Sequence, residues 1–309
     1  EVGTNPSFAS ALSVLITLIA AFVLWVQKAI VDKKSYNMTA LRPPVPVELP
    51  VGKKILATAS VFIVAFLAVV PQITVVVMSF IKTRGPLFVR GFSLESYQNI
   101  LSKLSTNIKN TFLFSILAIM IIVIIGLLGS YVIVRRKSKV TSFLDLLLMF
   151  PYVIPGSVIG ICMIVAFNAH PLVLTGSMWI IVISYSIRKL PYTMRSSVGI
   201  LYQIDHSVEE ASISLGVPPM KTFFKTTMFL MLPGLLSGAI LSFVNNINEL
   251  SSTIILYTGK TSTISVAIFN AVNNDAFGNA AALSTILTFS TIICLLIFNK
   301  ISGGKSVVG

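Results

Sequence analysis

Charge is what this sequence has least of. Only 11% of its 309 residues are Asp, Glu, Lys or Arg, against roughly 25% in ordinary soluble domains. So little charge cannot cover the outside of a soluble core, and a water-soluble globule is excluded. Acids are the scarcest, with 10 Asp and Glu against 23 Lys and Arg, and there are 2 His. His170 and His206 stand alone, and no Ser/His/Asp, Cys/His or zinc-ligand spacing occurs. The two cysteines, Cys162 and Cys294, lie inside apolar runs and read as packing residues, not as a disulfide or metal pair. No phosphate-binding glycine loop is present. The chain therefore reads as having no catalytic residues, no metal ligands and no cofactor. With 18 Gly and 14 Pro and no repeat of either, collagen-like and disordered classes are excluded as well.

What the sequence does have is apolar length. Hydrophobic residues make up 55% and mean hydropathy is +0.92. These values predict an all-α integral membrane protein. The apolar runs are continuous, without the alternation of a barrel. A span needs about 20 apolar residues. Seven stretches approach this: 8–27, 55–80, 110–134, 143–167, 172–187, 229–248 and 280–298, the fifth being the shortest. Basic residues crowd the segments after spans one, three and five and the C-terminus, including Arg135, Arg136, Arg188, Lys189, Arg195 and Lys221. The opposite side has Lys82, Arg84, Arg90, Lys103, Lys109 and Lys260. This asymmetry predicts an outside N-terminus and a cytoplasmic C-terminus. It also accounts for the net charge of +13 with lipid as the neighbour and no nucleic-acid partner.

The chain opens at Glu1 and enters a span almost at once. Ala11-Leu12-Ser13-Val14-Leu15-Ile16-Thr17 is similar to Ala282-Leu283-Ser284-Thr285-Ile286-Leu287-Thr288, and both stretches open an outside-to-inside span followed by a basic tail. The repeat predicts that residues 1–28 are the last helix of a preceding unit. Residues 29–54, with Pro43, Pro44, Pro46 and Pro50, read as an extended cytoplasmic linker. The remaining 55–309 form the main domain.

One polar stretch, 188–228, is long for a chain made otherwise of spans. Within it, 207–216 reads as a short helix. Asp205 or Ser207 can cap it, Glu209 and Glu210 sit in its first turn where the helix dipole favours acids, and Gly216 is a left-handed stop. Pro218-Pro219 block continuation, and a second helix from Lys221 climbs into span six. This elbow either connects two spans or presents Val208, Ala211, Leu215 and Val217 to a partner.

Glu210-Ala211-Ser212 followed by Gly216, flanked by Leu190-Pro191-Tyr192, Gln203-Ile204-Asp205 and Leu232-Pro233-Gly234, resembles the cytoplasmic loop of permease subunits in binding-protein-dependent (type I) ABC importers. Among these it looks most similar to the ferric-iron importer permeases, whose two halves are often fused. The chain would then be the C-terminal half plus the last helix of the first. The resemblance implies that the elbow is the coupling helix docking on a separate ATPase. Glu209, Glu210, Ala211, Ser212 and Gly216 would be its coupling residues. It also implies two cytoplasmic ATP-binding subunits, an extracytoplasmic substrate-binding protein, a preceding permease half, and a place in the bacterial inner membrane. Ser212 stands where the family has a second Ala. The family's helix-breaking Pro is missing at Phe229, which predicts a straighter start to span six.

Span four carries Pro151, Tyr152, Pro155 and Gly156 close together, which predicts a kink and a place on a transport path. Asn245, Asn248 and Glu249 share a face at the end of span six. Glu249 would pair with a cation in transit or with Lys260, or cap the helix in water. Residues 259–274 read as an amphipathic helix at the outer surface. Two rival classes fit the span count: a seven-span receptor and an ion-driven secondary transporter.

Overall fold

A computed structural model describes residues 50–301, together with eight positions between 11 and 26, all helical. Most of the first expected span, and the expected linker 29–54 up to residue 49, lie outside the described residues; residues 51–54 at that linker's end are helical and not extended. Helix α1 (Val51–Ser79) has 29 residues and carries Pro71 internally. It packs on the last helix through Thr288, whose hydroxyl donates to Gln72 Oε1 at 3.4 Å. A hairpin follows, β1 (Ile81–Arg84) antiparallel to β2 (Leu87–Phe92), turned at Gly85.

Helix α2 (Glu95–Arg135) has 41 residues, about 60 Å at the usual rise. Helices α3 (Lys139–Val153) and α4 (Gly156–Phe167) meet at 109°. Next come α5 (Met178–Gln203), α6 (Ser207–Ser214), the single turn α7 (Pro219–Thr222), a π turn (Phe223–Thr227) and α8 (Met228–Ile247). The short α9 (Thr253–Leu256), α10 (Ile264–Asn273) and α11 (Phe277–Ile301) close the chain.

Four of these segments are long and apolar enough to cross a bilayer: Val51–Ser79, Leu104–Arg135, Pro219–Ile247 and Phe277–Phe298. The bent pair α3–α4 makes a fifth. The expected span 172–187 needs correcting. Its first residues form a loop around Gly176, and α5 starts at Met178 and runs on to Gln203. Arg188, Lys189 and Arg195, assigned by sequence to a connecting loop, are therefore helical. The same correction shortens the expected 188–228 loop to the stretch after Gln203.

Two apolar centres organise the bundle, and the first holds α5 in place. Phe114 and Ala118 of α2, Ile180, Ile181 and Tyr185 of α5, and Ile159 and Met163 of α4 form the first. Ile100 of α2, Phe243 and Ile247 of α8, Ile264 of α10 and Leu283 and Leu287 of α11 form the second. Between them α5 and α8 are joined by polar bonds. Ser196 donates to the Gly234 carbonyl at 2.7 Å, Ser242 donates to the Lys189 carbonyl at 2.8 Å, and Thr193 and Ser242 share a bond at 2.8 Å. Hydroxyl pairs of this kind join helices where apolar burial gives no net drive.

Candidate functional site

The break in the fourth span has a local cause. Pro155 forces its predecessor out of the helical region, and Ile154 is extended at ψ 131. Pro155 then starts α4 as its N-cap residue, leaving Gly156 as the first helical position. Pro151 stays inside α3 and does not end it. The expected kink is thus a sharp corner at Pro155.

The corner sits on a buried charge cluster. A Cβ on Gly156 would lie 2.6 Å from Ser251 Cβ and 2.7 Å from Arg188 Nη1, so only glycine admits the guanidinium here. Arg188 donates to Glu249 Oε1, and Lys189 Nζ lies 2.7 Å from Glu249 Oε2. The Ser252 amide adds a third donor at 3.2 Å. Glu249 is 5% exposed. Glu249 therefore does not pair with Lys260, nor does it cap α8 in open water. Sequence placed Glu249 at one membrane face and Arg188 with Lys189 at the other. Their contact shows that these placements cannot both stand, and the reason is that α5 continues through 188–203. Arg188 and Lys189 are the site residues that sequence reasoning missed. The available signal was that Arg188 and Lys189 directly follow an apolar run with no turn residue between.

Asn245 and Asn248 turn back on their own helix, donating to the Leu241 and Val244 carbonyls at 2.9 and 2.8 Å. Glu249 alone of the three joins the cluster. Tyr152, at the corner, packs edge-on against Tyr192 of α5, one turn beyond Arg188, with ring centroids 5.5 Å apart.

The second candidate region is the elbow. The Ser207 amide donates to Asp205 Oδ1 at 2.8 Å, which opens α6 and holds the Asp205 carboxyl below its ordinary pKa. At the other end Gly216 has φ +83. Its amide donates to the Ile213 carbonyl at 2.9 Å and the Val217 amide to the Ser212 carbonyl at 3.2 Å, the paired bonds of a left-handed glycine stop. Ser212 and Thr222 hydroxyls, 3.0 Å apart, close the elbow onto α7.

The two adjacent acids have opposite fates. Glu210 is exposed and contacts His206 Nδ1 at 3.1 Å. Glu209 is buried, accepting from Arg135 Nε at 2.9 Å and the Tyr131 hydroxyl at 3.3 Å. Arg135 also donates to the Ile204 carbonyl at 3.1 Å. Glu209 thus faces its own α2 and holds the elbow to it, while Glu210, Ala211 and Leu215 face outward. Span six opens with the π turn Phe223–Thr227 inside a helix that runs unbroken from Pro219 to Ile247.

Replacing Glu209 by Ala should free α6 from α2. Hydrogen bonds to charged groups contribute about 1.5–3 kcal/mol. Amide exchange across 208–215 should therefore accelerate at least tenfold, while the α5 amides keep their protection. Unchanged exchange at 208–215 would show that the tie does not hold the elbow.

Comparison with known proteins adds a decisive match. The family model described as binding-protein-dependent transport system inner membrane component aligns with residues 122–303, more than half of the chain. The chain belongs to this permease family. It is 34% identical over 198 residues to the ferric transport system permease protein FbpB of Actinobacillus pleuropneumoniae, covering 64% of this chain and 29% of that protein. It thus spans less than a third of that relative. The putative 2-aminoethylphosphonate transport system permease protein PhnV of Salmonella typhi is 24% identical over 250 residues, covering 79% of this chain and 93% of that one. The permease also shares its fold with a bacterial ABC transporter involved in the import of the acidic polysaccharide alginate. There the TM-score is 0.65 at 12% identity, covering 83% of this chain and 98% of the other. The permease is accordingly a multi-pass inner-membrane component of the binding-protein-dependent transport family, with clear similarity to the ferric transport permease FbpB.

Proposed function

We propose that this permease is the C-terminal half of a fused ABC importer, carrying a small solute inward by ATP-driven alternating access. Residues 1–28 would complete a preceding half and 29–50, up to the start of α1, would link the two. ATP hydrolysis belongs to two separate cytoplasmic subunits, and an extracytoplasmic binding protein delivers the cargo. Ferric iron is the cargo suggested by FbpB. The observation that carries the reading is the elbow, with its exposed Glu210, Ala211 and Leu215 and its rigid ends at Asp205 and Gly216. An outward-facing apolar patch on a tightly capped helix suits docking into a cleft. Movement at α6 passes to α2 through Glu209–Arg135 and to α8 through the π turn, and thence to the corner at Pro155 and Gly156.

The test is co-purification of the full-length permease with its ATPase. Glu210→Ala and Gly216→Pro should each lose the ATPase while remaining folded in detergent. Proline at 216 cannot adopt φ +83 and removes the amide bonded to Ile213. Retention of the ATPase by both variants would sink the elbow as coupling site. A wild type that binds no ATPase would return the secondary-transporter and receptor readings.

A further inference from the structure

The exposed side of α5 is not a lipid face. Arg188, Tyr192, Arg195, Gly199 and Tyr202 follow one another at three- and four-residue intervals and lie within about 40° of one line along the helix. All five are partly or fully exposed. The stripe extends about 21 Å on a helix packed against two membrane-crossing segments, with Thr193 against Gly126 and Gly238 and Ile200 against Gly234, so it runs at the depth of the bilayer. Polar helix surface of that length is tolerated only against protein or a water-filled path.

The stripe has a sign. Arg188 and Lys189 share the one carboxylate of Glu249. Arg195 reaches Asp145 at 3.3 Å, with its own side chain 54% exposed. Lys137 lies over the Tyr202 ring, 5.7 Å from its centre. Around the stripe four cations therefore meet two carboxylates, with Lys189 coming from the buried side of α5 and Lys137 from the turn after α2. Arg188 also keeps one donor in reserve: its Nε is buried without a hydrogen-bond partner among the described residues. A buried guanidinium donor left open calls for an acceptor, and guanidinium groups match carboxylate, sulfate and phosphonate oxygens in geometry. Tyr152 and Tyr192 add phenolic donors between the two arginines.

We propose that this face of α5 is an anion-conducting surface, and that the cargo passes Arg188, Tyr192 and Arg195 as an oxygen-bearing anion. The inference rests on the importer reading and narrows its substrate class. If iron is carried, it crosses wrapped in anionic oxygen ligands and not as a bare cation.

The experiment uses the full-length permease purified with its ATPase and without the binding protein. Thermal unfolding is followed against sulfate, methylphosphonate, ferric citrate and, at matched ionic strength, gallium and magnesium chlorides. A saturable rise in unfolding temperature is expected with an oxyanion. The half-saturating concentration should rise roughly tenfold in Arg188→Gln and in Arg195→Gln, the loss of one charge-assisted contact. Arg188→Lys should recover part of it, and Arg90→Gln on the hairpin should leave it unchanged. A rise with sulfate or methylphosphonate identifies a free oxyanion, and a rise with ferric citrate alone identifies a wrapped metal. Stabilisation by gallium or magnesium only, no stabilisation by any anion, or a response untouched by both arginine variants overturns the proposal. Arg195→Gln alters an exposed side chain, so it reports even if Arg188→Gln misfolds. ATPase co-purification in the same samples separates failure of the anion surface from failure of the importer reading.

Discussion

Glu249→Gln is expected to be among the most destabilising single substitutions in the permease. The variant keeps the size of the side chain and removes only its charge. Arg188 and Lys189 would then both remain, at 13% and 11% side-chain exposure, with no anion against them. Breaking a buried pair from one side costs about 3–5 kcal/mol, because the stranded charge keeps its full desolvation penalty. Whole domains are stable by only about 5–15 kcal/mol. The detergent-solubilised protein should therefore unfold at clearly lower temperature. The contrast that isolates charge is the triple variant Arg188→Met, Lys189→Met, Glu249→Leu. Replacing all partners with apolar groups of similar volume is often neutral or stabilising, so the triple should recover most of the lost stability. An unfolding temperature for Glu249→Gln equal to wild type would show that the cluster is hydrated and not a buried network.

The same cluster marks where sequence reading stopped. Pattern alone located both ends of α8 and α11 to within a few residues, and the C-terminal end of α2, since each is apolar enough for lipid; the first fifteen residues of α2, from Glu95 to Lys109, are too polar to signal a span. It placed a kink within 151–156, though not which proline makes it, and the left-handed stop at Gly216, where one residue's backbone limits decide the outcome. The amphipathic pattern over 259–274 likewise signalled α10, which begins at Ile264. Helix α5 was misread for a physical reason. Enclosed by α2, α4 and α8, it need not satisfy lipid, so its buried side bears Ser184, Ser186, Lys189, Thr193 and Ser197. Hydropathy measures fitness for lipid and is silent about a helix solvated by other helices. Charge reading failed at the same place, because it assigns each Lys and Arg to the nearest loop. A carboxylate 60 residues further on, Glu249, is what permits Arg188 and Lys189 to stay inside. Glu209 and Glu210 show the complementary limit. The dipole argument placed both acids correctly in the first turn, yet only the packing of α6 on α2 decides which faces inward.

The interface between α5 and α8 yields the second large effect. Gly234 and Gly238 are one turn apart and both face α5, a small-residue pairing that lets membrane helices approach closely. A Cβ on Gly238 would lie 2.6 Å from Thr193 Cα and 3.1 Å from the Tyr192 carbonyl oxygen. Those are backbone atoms, so no side-chain rotation relieves the clash. Gly238→Val should wedge the two helices apart, costing about 1–3 kcal/mol in overpacking. The bonds of Ser196 to Gly234 and Ser242 to Lys189, at 2.7 and 2.8 Å, would be strained with it, adding about 1 kcal/mol each if lost. Gly199, on the open side of the same α5, has nothing within 4 Å of its would-be Cβ. Gly199→Ala should therefore be harmless, or stabilising by up to about 1 kcal/mol through helix propensity. The opposite signs make the comparison sharp when both variants are unfolded side by side in one detergent. Since α5 leads into α6 and the π turn leads back into α8, the wedge should also displace the elbow. Gly238→Val is thus expected to lose ATPase binding under conditions where Gly199→Ala retains it. Equal stability and equal ATPase binding in the two variants would mean that α5 and α8 do not move the elbow as one unit.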